Sequence, residues 1–196
     1  MTTATPLPVR LRPTDREALT QHFLTLDVED RRLRFGAALN DDSIRALEGR
    51  IDFERDELFA VTDDELRLLG VVHVAFYQAG RAELGLSVLP CARAQGIGTA
   101  LFARAVMHLR NRRVREVFVH CLSENSAMMH LARKHGMRLV SEGSETDAWL
   151  ELSDPTAESF LAEWFHDQQA DSVRALRRHA QLTRNLFSIF GSFAKP

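Results

Sequence analysis

The 196-residue sequence has little of several features that would define a function class at once. Its only two cysteines, Cys91 and Cys121, lie in unrelated segments, which argues against a disulfide framework and favours a reducing, cytoplasmic compartment. Lysine and arginine together number 25 against 27 acidic residues, so the basic excess typical of nucleic-acid-binding proteins is missing. No apolar run approaches the roughly 18 residues of a membrane span, and metal-ligand spacing is absent. We therefore expect no nucleic-acid partner, no membrane span and no metal.

The length and the 45% hydrophobic content predict one domain with an appendage. We expect a flexible tail over residues 1–8, a domain over 9–153 and a helical extension over 154–196. The opening residues, MTTATPLP, contain no basic region followed by an apolar stretch, so they do not resemble a secretion signal.

Strand and helix patterns alternate along residues 9–152. Helical spacing follows the predicted N-cap Asp15 and is broken around Gly36 and Asn40. In a later helix, Phe102 and Leu109 lie with Val106 on one face. Alternating apolar residues predict strands over 9–14, 57–63, 67–78, 82–90, 114–122, 138–143 and 147–152. The order predicts a mixed α/β (α+β) fold with a mainly antiparallel central sheet flanked by helices.

The stretch RAQGIG, residues 93–98, places Gly96 and Gly98 between a predicted strand and a predicted helix. The backbone N–H groups that begin a helix bind anions, and glycine lets a phosphate approach them closely. No Gly-Lys-Ser/Thr follows, which excludes a P-loop, and the third glycine of a dinucleotide fingerprint is missing. A pyrophosphate site over Arg93 to Thr99 is the hypothesis, and a tight strand-to-helix turn is the alternative.

The spacing of Arg93, Gly96 and Gly98 resembles motif A of the GNAT family of N-acetyltransferases, in which Gln or Arg is followed by two residues, Gly, one residue, and Gly or Ala. The segment AELGLSVLPCARAQGIGTAL is similar to the fourth strand, pyrophosphate loop and third helix of that family. Asn125 and Gly136 stand where the family often has an asparagine before its fourth helix and a glycine after it. The resemblance covers roughly residues 9–152.

The resemblance implies a sheet that is splayed between its fourth and fifth strands, with acetyl-CoA as co-substrate in the cleft. It also implies direct acetyl transfer to a primary amine. The coenzyme-binding residues that it implies are Leu86, Val88, Arg93, Ala94, Gln95, Gly96, Ile97, Gly98, Thr99 and Asn125. Ala94 is a departure, because the loop often has glycine there.

The segment MMHLARKHG, residues 128–136, is similar to the bacterial protein-lysine acetyltransferase branch of the family, so a protein lysine is one expected acceptor. An amino acid, a polyamine or an antibiotic would also fit, and the acyl group can be acetyl or longer. A non-catalytic module that binds CoA or acyl-CoA for regulation is the alternative function.

Glu83 is the predicted catalytic residue, because it lies on the strand that leads into the glycine loop. An amine with a pKa near 10.4 costs about 4.6 kcal/mol to present as the free base at pH 7, so a general base is useful. The alternative is a surface glutamate near a turn, and Glu124, His73 and His120 are weaker candidates for the base. Gly85, in mid-strand, predicts a bulge beside the backbone groups that would bind the thioester.

A tyrosine that protonates the departing thiolate is common in the family, seven residues after the asparagine. Here that position holds Ala132. The only tyrosine, Tyr77, lies on a different predicted strand, so we assign it no such role and the general acid stays unidentified.

The C-terminal residues after Asp154 predict one or two helices. An apolar stripe in the last of them comprises Leu182, Leu186, Ile189 and Phe193, widened by Phe187 and Phe190. Packing on the protein's own domain, a homodimer through these helices and contact with a membrane surface are the three interpretations.

Overall fold

A computed structural model describes the backbone of residues 6–77 and 80–192, and the side chains as far as residue 184. Residues 1–5 of the predicted tail lie outside the described part. The first strand begins at Val9. The strands are β1 (Val9–Arg10), β2 (Glu57–Thr62), β3 (Leu68–Tyr77), β4 (Arg81–Val88), β5 (Glu116–Leu122), β6 (Arg138–Glu142) and β7 (Glu145–Glu151). The helices are α1 (Arg16–Thr25), α2 (Val28–Phe35), α3 (Asp41–Glu48), α4 (Ile97–Asn111), α5 (Ser126–Lys134) and α6 (Ala157–Ser192).

The seven strands form one sheet in the order β1-β2-β3-β4-β5-β7-β6. Every neighbouring pair is antiparallel except β4 and β5, which are parallel and are joined through α4. The predicted mixed, mainly antiparallel fold is therefore confirmed.

Helices cover both faces of the sheet, and each face has its own apolar core. The helices α1 to α3 pack on one face through fully buried side chains that include Leu19, Phe23 and Ile44. The helices α4 and α5 pack on the other face, where Phe102 and Leu109 are fully buried as predicted. Val106 is only partly buried.

Two local predictions are wrong. The first strand was expected over residues 9–14 but ends at Arg10, because a 3-10 turn begins at Pro13, which lacks a backbone N–H to donate to a neighbouring strand. The bulge expected at Gly85 is absent, because the register between β3 and β4 runs without a shift through the pair His73 and Gly85.

One or two helices were predicted for the C-terminal residues, and the structure has one long helix, α6. Its first turns lie across α4, where Glu163 accepts hydrogen bonds from Arg104 Nη1 (2.9 Å) and Asn111 Nδ2 (2.6 Å). Farther along, Arg174 pairs with Asp15. Large apolar side chains that α6 leaves exposed are Phe160, Leu161, Trp164, Phe165, Leu176 and Leu182. The predicted stripe beyond residue 184 lies outside the described side chains.

Candidate active site

The strands β4 and β5 separate shortly after they meet. Their pairing joins Arg81–Glu83 of β4 to residues 116–118 of β5, and no later pair forms between them in the described chain. A cavity of about 410 Å³ opens beside the gap, lined by side chains from α2, β3, β4 and β5 together with the first turn of α5. The splayed sheet that the resemblance implied is therefore present.

The open edge of β4 presents backbone polar groups to this gap. Leu89 donates its N–H to the Leu69 oxygen at 2.8 Å, which fixes the hydrogen-bonding alternation along the antiparallel β3/β4 pair. By that alternation the odd-numbered residues of β4 bond to β3, and the N–H and C=O groups of Leu86 and Val88 face the side that β5 has left. Gly85 is thus not needed as a bulge to free these groups.

The residues between β4 and α4 form the turn that the glycines predicted. Gly96 precedes α4 with φ at 77°, a left-handed conformation that favours glycine, and Ala94 also has a positive φ of 59°. The first hydrogen bond at the start of α4 runs from Ala100 N to the Gly96 oxygen at 3.0 Å. The N–H groups of Ile97, Gly98 and Thr99 therefore have no acceptor within the helix.

Side chains around this loop brace it. Arg93 donates from Nε to the Val88 oxygen (3.2 Å) and from Nη2 to Asp30 (2.5 Å), and Gln95 donates to the Cys91 oxygen (3.2 Å). The loop thus offers its backbone to an anion, because the Arg93 guanidinium already has an acidic partner on α2.

Lys134, at the end of α5, adds a positive charge to the loop. Its Nζ donates to Thr99 Oγ1 at 3.2 Å. In the sequence it belongs to the segment that resembles the protein-lysine branch, and no role at the glycine loop was predicted for it.

Asn125 caps α5, since its Oδ1 accepts the Met128 N–H at 3.0 Å. Its Nδ2 donates to the Leu33 oxygen of α2 at 3.4 Å. The Asn125 side chain thus links α2 and α5 at the cavity rim. Ala132, on α5, is buried in the apolar core.

Glu83 lies on the cavity wall and accepts a hydrogen bond from the Tyr77 hydroxyl at 2.8 Å. This bond raises the pKa of the Tyr77 hydroxyl above its usual range. Sequence reasoning set Tyr77 aside because it lies on β3. The pairing of β3 with β4 brings Ala75 opposite Glu83, so the side chains of Tyr77 and Glu83 are diagonal neighbours on one face of the sheet.

The weaker base candidates differ in position. His73 lies in the cavity with Nε2 2.9 Å from Asp56, and burial lowers its pKa. His120 also lines the cavity and has its Nδ1 2.7 Å from Asp147, a hydrogen bond that raises its pKa. Glu124 is instead on the surface in an ion pair with Arg32.

Tyr77 also begins a row of aromatic side chains that continues away from the cavity. The ring centroids of Tyr77 and Phe118 are 5.6 Å apart, and Phe118 stacks on Trp149 at 4.9 Å. Of the three, only Tyr77 lines the cavity.

Two further features bear on ligands. Within the described residues, no group of three or more His, Cys, Asp or Glu side chains is arranged to hold a metal ion. A search of the described helices finds none that is both long and apolar enough to cross a membrane.

Solved structures with the same fold are acetyltransferases. The GNAT domain of S. lividans PAT is 19% identical with a TM-score of 0.63, and the match covers 74% of this chain and 89% of that one. The spermidine N-acetyltransferase from Vibrio cholerae, in complex with CoA and spermine, is 17% identical with a TM-score of 0.61 over 76% and 97% of the two chains. The ribosomal-protein-S18-alanine N-acetyltransferase from Escherichia coli is 18% identical with a TM-score of 0.56 over 77% and 97%.

A search of curated protein sequences found no match. The family model described as "Acetyltransferase (GNAT) family" matches residues 21–137, which is more than half of the chain and runs from within α1 to just past the end of α5. The chain therefore belongs to the GNAT family and is an acyl-CoA-dependent N-acetyltransferase.

Proposed function

We propose that this enzyme transfers the acetyl group of acetyl-CoA directly to a primary amine, with Glu83 as the general base. The observation that carries the proposal is the position of Glu83. It lies on the wall of the cavity that opens where β4 and β5 separate, next to the unpaired edge of β4. A base and an acyl-binding edge on one strand are what direct transfer requires.

The coenzyme would lie along β4, with its pyrophosphate on the backbone N–H groups from Arg93 to Thr99. Three of those groups begin α4, where the helix dipole favours a negative charge. Gly96 supports a close approach, because no protein atom lies within 4 Å of the place its Cβ would occupy, and that space is open to a phosphate. The N–H and C=O groups of Leu86 and Val88 would bind the pantetheine arm and the thioester oxygen.

In the reaction, Glu83 takes a proton from the acceptor ammonium, directly or through a water. The free amine then attacks the thioester carbon, and the carbon–sulfur bond breaks as the amide forms. The second amine proton leaves with solvent or with the sulfur. A thiol pKa near 8.5 makes the coenzyme thiolate a tolerable leaving group without a tyrosine acid.

Tyr77 would position Glu83, since its hydroxyl donates to one carboxylate oxygen at 2.8 Å and leaves the other for the substrate. We assign Tyr77 no proton transfer to the sulfur. Asn125 would border the coenzyme at the cavity rim, from its place at the start of α5.

The acceptor is a protein lysine or a small primary amine. Among the structural neighbours, one is a spermidine N-acetyltransferase and another a ribosomal-protein-S18-alanine N-acetyltransferase, so small-molecule and protein acceptors both occur on this fold. We place the reaction in the cytoplasm, in keeping with free cysteines at Cys91 and Cys121.

The test is to incubate the protein with acetyl-CoA and a panel of amines that includes lysine peptides, amino acids and polyamines, and to follow thiol release. Amine-dependent release supports the proposal. Acetyl-CoA binding with no release in the presence of any amine would favour the alternative, a non-catalytic CoA-binding module.

We also propose a homodimer through α6, because four large apolar side chains of its first half are at least half exposed: Phe160, Leu161, Trp164 and Phe165. Replacing Leu161, Trp164 and Phe165 together with serine should halve the apparent mass in solution, because these side chains form most of the exposed apolar surface. The control is Arg174→Ala, which removes a contact of α6 with its own subunit but keeps the apolar residues. A folded triple variant with the mass of the wild type would contradict the dimer.

A further inference from the structure

Arg34, at the end of α2, is an arginine in the acceptor cavity without an acidic partner. No carboxylate of the described residues lies within ion-pair distance of it, and no hydrogen bond to its guanidinium forms among them. Its Nε is buried and unsatisfied. A buried N–H without an acceptor is costly, so an anion that binds the protein and supplies one is favoured.

The surroundings of Arg34 fix its place rather than neutralise it. The guanidinium carbon lies 4.9 Å from the centre of the Phe35 ring and 6.0 Å from that of Phe23. Gly85 leaves room for it, since a Cβ there would lie 2.2 Å from Nη2 of Arg34. The absence of a side chain at position 85 thus brings a positive charge against β4, in the middle of the strand.

The charge persists at neutral pH. Burial lowers the pKa of Arg34 to about 10, and the nearby charge of Glu83 acts in the opposite direction. Glu83 itself lies beyond ion-pair distance from Arg34 and is bonded to Tyr77. The cavity therefore contains the Glu83 carboxylate and, beside Gly85 two residues farther along β4, the guanidinium of Arg34, which has no ion-pair partner among the described residues.

We propose that Arg34 binds a carboxylate carried by one of the two substrates, beside the carbon at which acyl transfer occurs. The inference rests on the proposed function, which places the thioester on the open edge of β4. The pantetheine arm is uncharged and the phosphates lie at the glycine loop, so an anion near Gly85 has two sources. These are a carboxylate on the acceptor amine and a carboxylate on the acyl group.

An amino acid acceptor satisfies both charged groups at once. Its ammonium would face Glu83 and its carboxylate would accept paired hydrogen bonds from the Arg34 fork. A polyamine or an isolated lysine side chain would leave Arg34 unpaired unless the acyl group carried the carboxylate. The same site therefore predicts either an acidic acceptor or a dicarboxylic acyl donor.

The experiment compares matched substrates. The acceptor arm measures kcat/KM with acetyl-CoA for free amino acids and for their carboxamides, which differ only in the carboxylate. The acyl arm compares succinyl-CoA with acetyl-CoA on an amine that has no carboxylate. Calorimetry of the amino acids with the CoA-bound protein, and of the two acyl donors, gives the same comparisons as affinities.

The variant is Arg34→Gln, and the control is Arg32→Gln on the exposed side of the same helix, where Arg32 pairs with Glu29. Wild type and Arg32→Gln should favour the carboxylate-bearing substrate in one arm by about 10- to 100-fold, and Arg34→Gln should lose that preference. Gly85→Ala should lose it too, because the added Cβ displaces the guanidinium. Arg34→Met should unfold at the same temperature or higher, since it removes a partly buried charge that has no ion-pair partner among the described residues.

Equal kcat/KM and equal affinity within both pairs in wild type would overturn the inference, as would a preference that survives in Arg34→Gln. If no amine is acetylated at all, the proposed function fails. The affinities then still decide the role of Arg34, because equal binding by wild type and Arg34→Gln contradicts it.

Discussion

Arg104 of the α4/α6 interface and Arg34 of the cavity both lie beside phenylalanine rings, but among the described residues only Arg104 has carboxylate partners. The guanidinium of Arg104 lies 4.3 Å from the centre of the Phe59 ring and bonds Glu163 at 2.9 Å and Asp167 at 2.7 Å. Arg34 has phenylalanine rings beside it, and no carboxylate of the described residues lies within ion-pair distance of it. A buried charge that the fold neutralises holds helices together, and one that it leaves unpaired is available to a ligand.

The two regions also shift the pKa values of their histidines in opposite directions. Burial would lower the pKa of His108, but Glu163, 2.7 Å from its Nδ1, and the charge of Glu57 raise it above its usual value. Nε2 lies 3.5 Å from Glu57, too far for a good hydrogen bond, so that attraction is mainly Coulombic. In the cavity, burial and the charge of Arg34 lower the pKa of His73 despite its bond to Asp56.

The largest expected effect separates chemistry from stability. Glu83→Gln keeps the size and the hydrogen bond with Tyr77 but removes the base, so turnover at pH 7 should fall by about 10²- to 10⁴-fold. The affinity for acetyl-CoA and the unfolding temperature should not change. The matched control is Glu124→Gln, on the surface outside the cavity, which should keep normal turnover.

The converse change is Glu163→Gln in the interface. It removes the negative charge that faces Arg104 and His108, while Asn111 keeps a hydrogen-bond partner. The free energy of unfolding should therefore fall by about 2–3 kcal/mol in urea titrations. Turnover per folded molecule should remain normal. A loss of turnover without a loss of stability would show that the interface contributes to the site.

The glycine loop gives the next effect. A side chain at Gly96 would point into open space and strain a backbone with φ at 77°, so Gly96→Val should weaken acetyl-CoA binding by about 10- to 100-fold in calorimetry. Gly143→Val is the control, since Gly143 has a similar φ of 63° and open space around it but lies in the turn between β6 and β7. Unchanged affinity in a folded Gly96→Val protein would place the pyrophosphate elsewhere.

The smallest effect is a pH dependence of the α4/α6 interface. Because the folded pKa of His108 is raised, its contribution to stability is complete below the unfolded pKa of about 6.5 and is lost as pH rises through the folded value. Burial opposes the shift at Glu163, but His108, Asn111 and Arg104 lower its pKa to about 2, so its contribution is lost as pH falls below about 4.5.

Urea unfolding should therefore show the interface at its strongest between about pH 4.5 and 6.5. In His108→Gln the decline above that range should be flatter than in wild type. Identical slopes in the two proteins would contradict the coupling of His108 to the carboxylates.

The sequence predicted the turn between β4 and α4 because its requirements are local. A left-handed turn before a helix selects glycine at position 96, and the flanking strand and helix were clear from their apolar periods. The family resemblance predicted the open edge of β4. The bulge at Gly85 that was expected to accompany it is absent. The gap arises between strands, from the short pairing of β4 with β5.

The acceptor side depends on contacts between distant residues, so the sequence predicted less of it. Arg34 and Gly85 are far apart in the chain, and nothing in either segment shows that one fills the space left by the other. The interface carried a readable signal: Arg104, His108 and Asn111 lie at i, i+4 and i+7 on α4. Their partners on α6 become apparent only in the folded chain.

The most direct test of the account is the pH dependence of turnover in Glu83→Gln relative to wild type, at saturating acetyl-CoA with a competent primary amine. If Glu83 is the base, the deficit is large near pH 7 and shrinks toward about pH 10, because more of the acceptor arrives already neutral. Near-normal turnover of the variant at pH 7, or a deficit that does not change with pH, would contradict the role of Glu83.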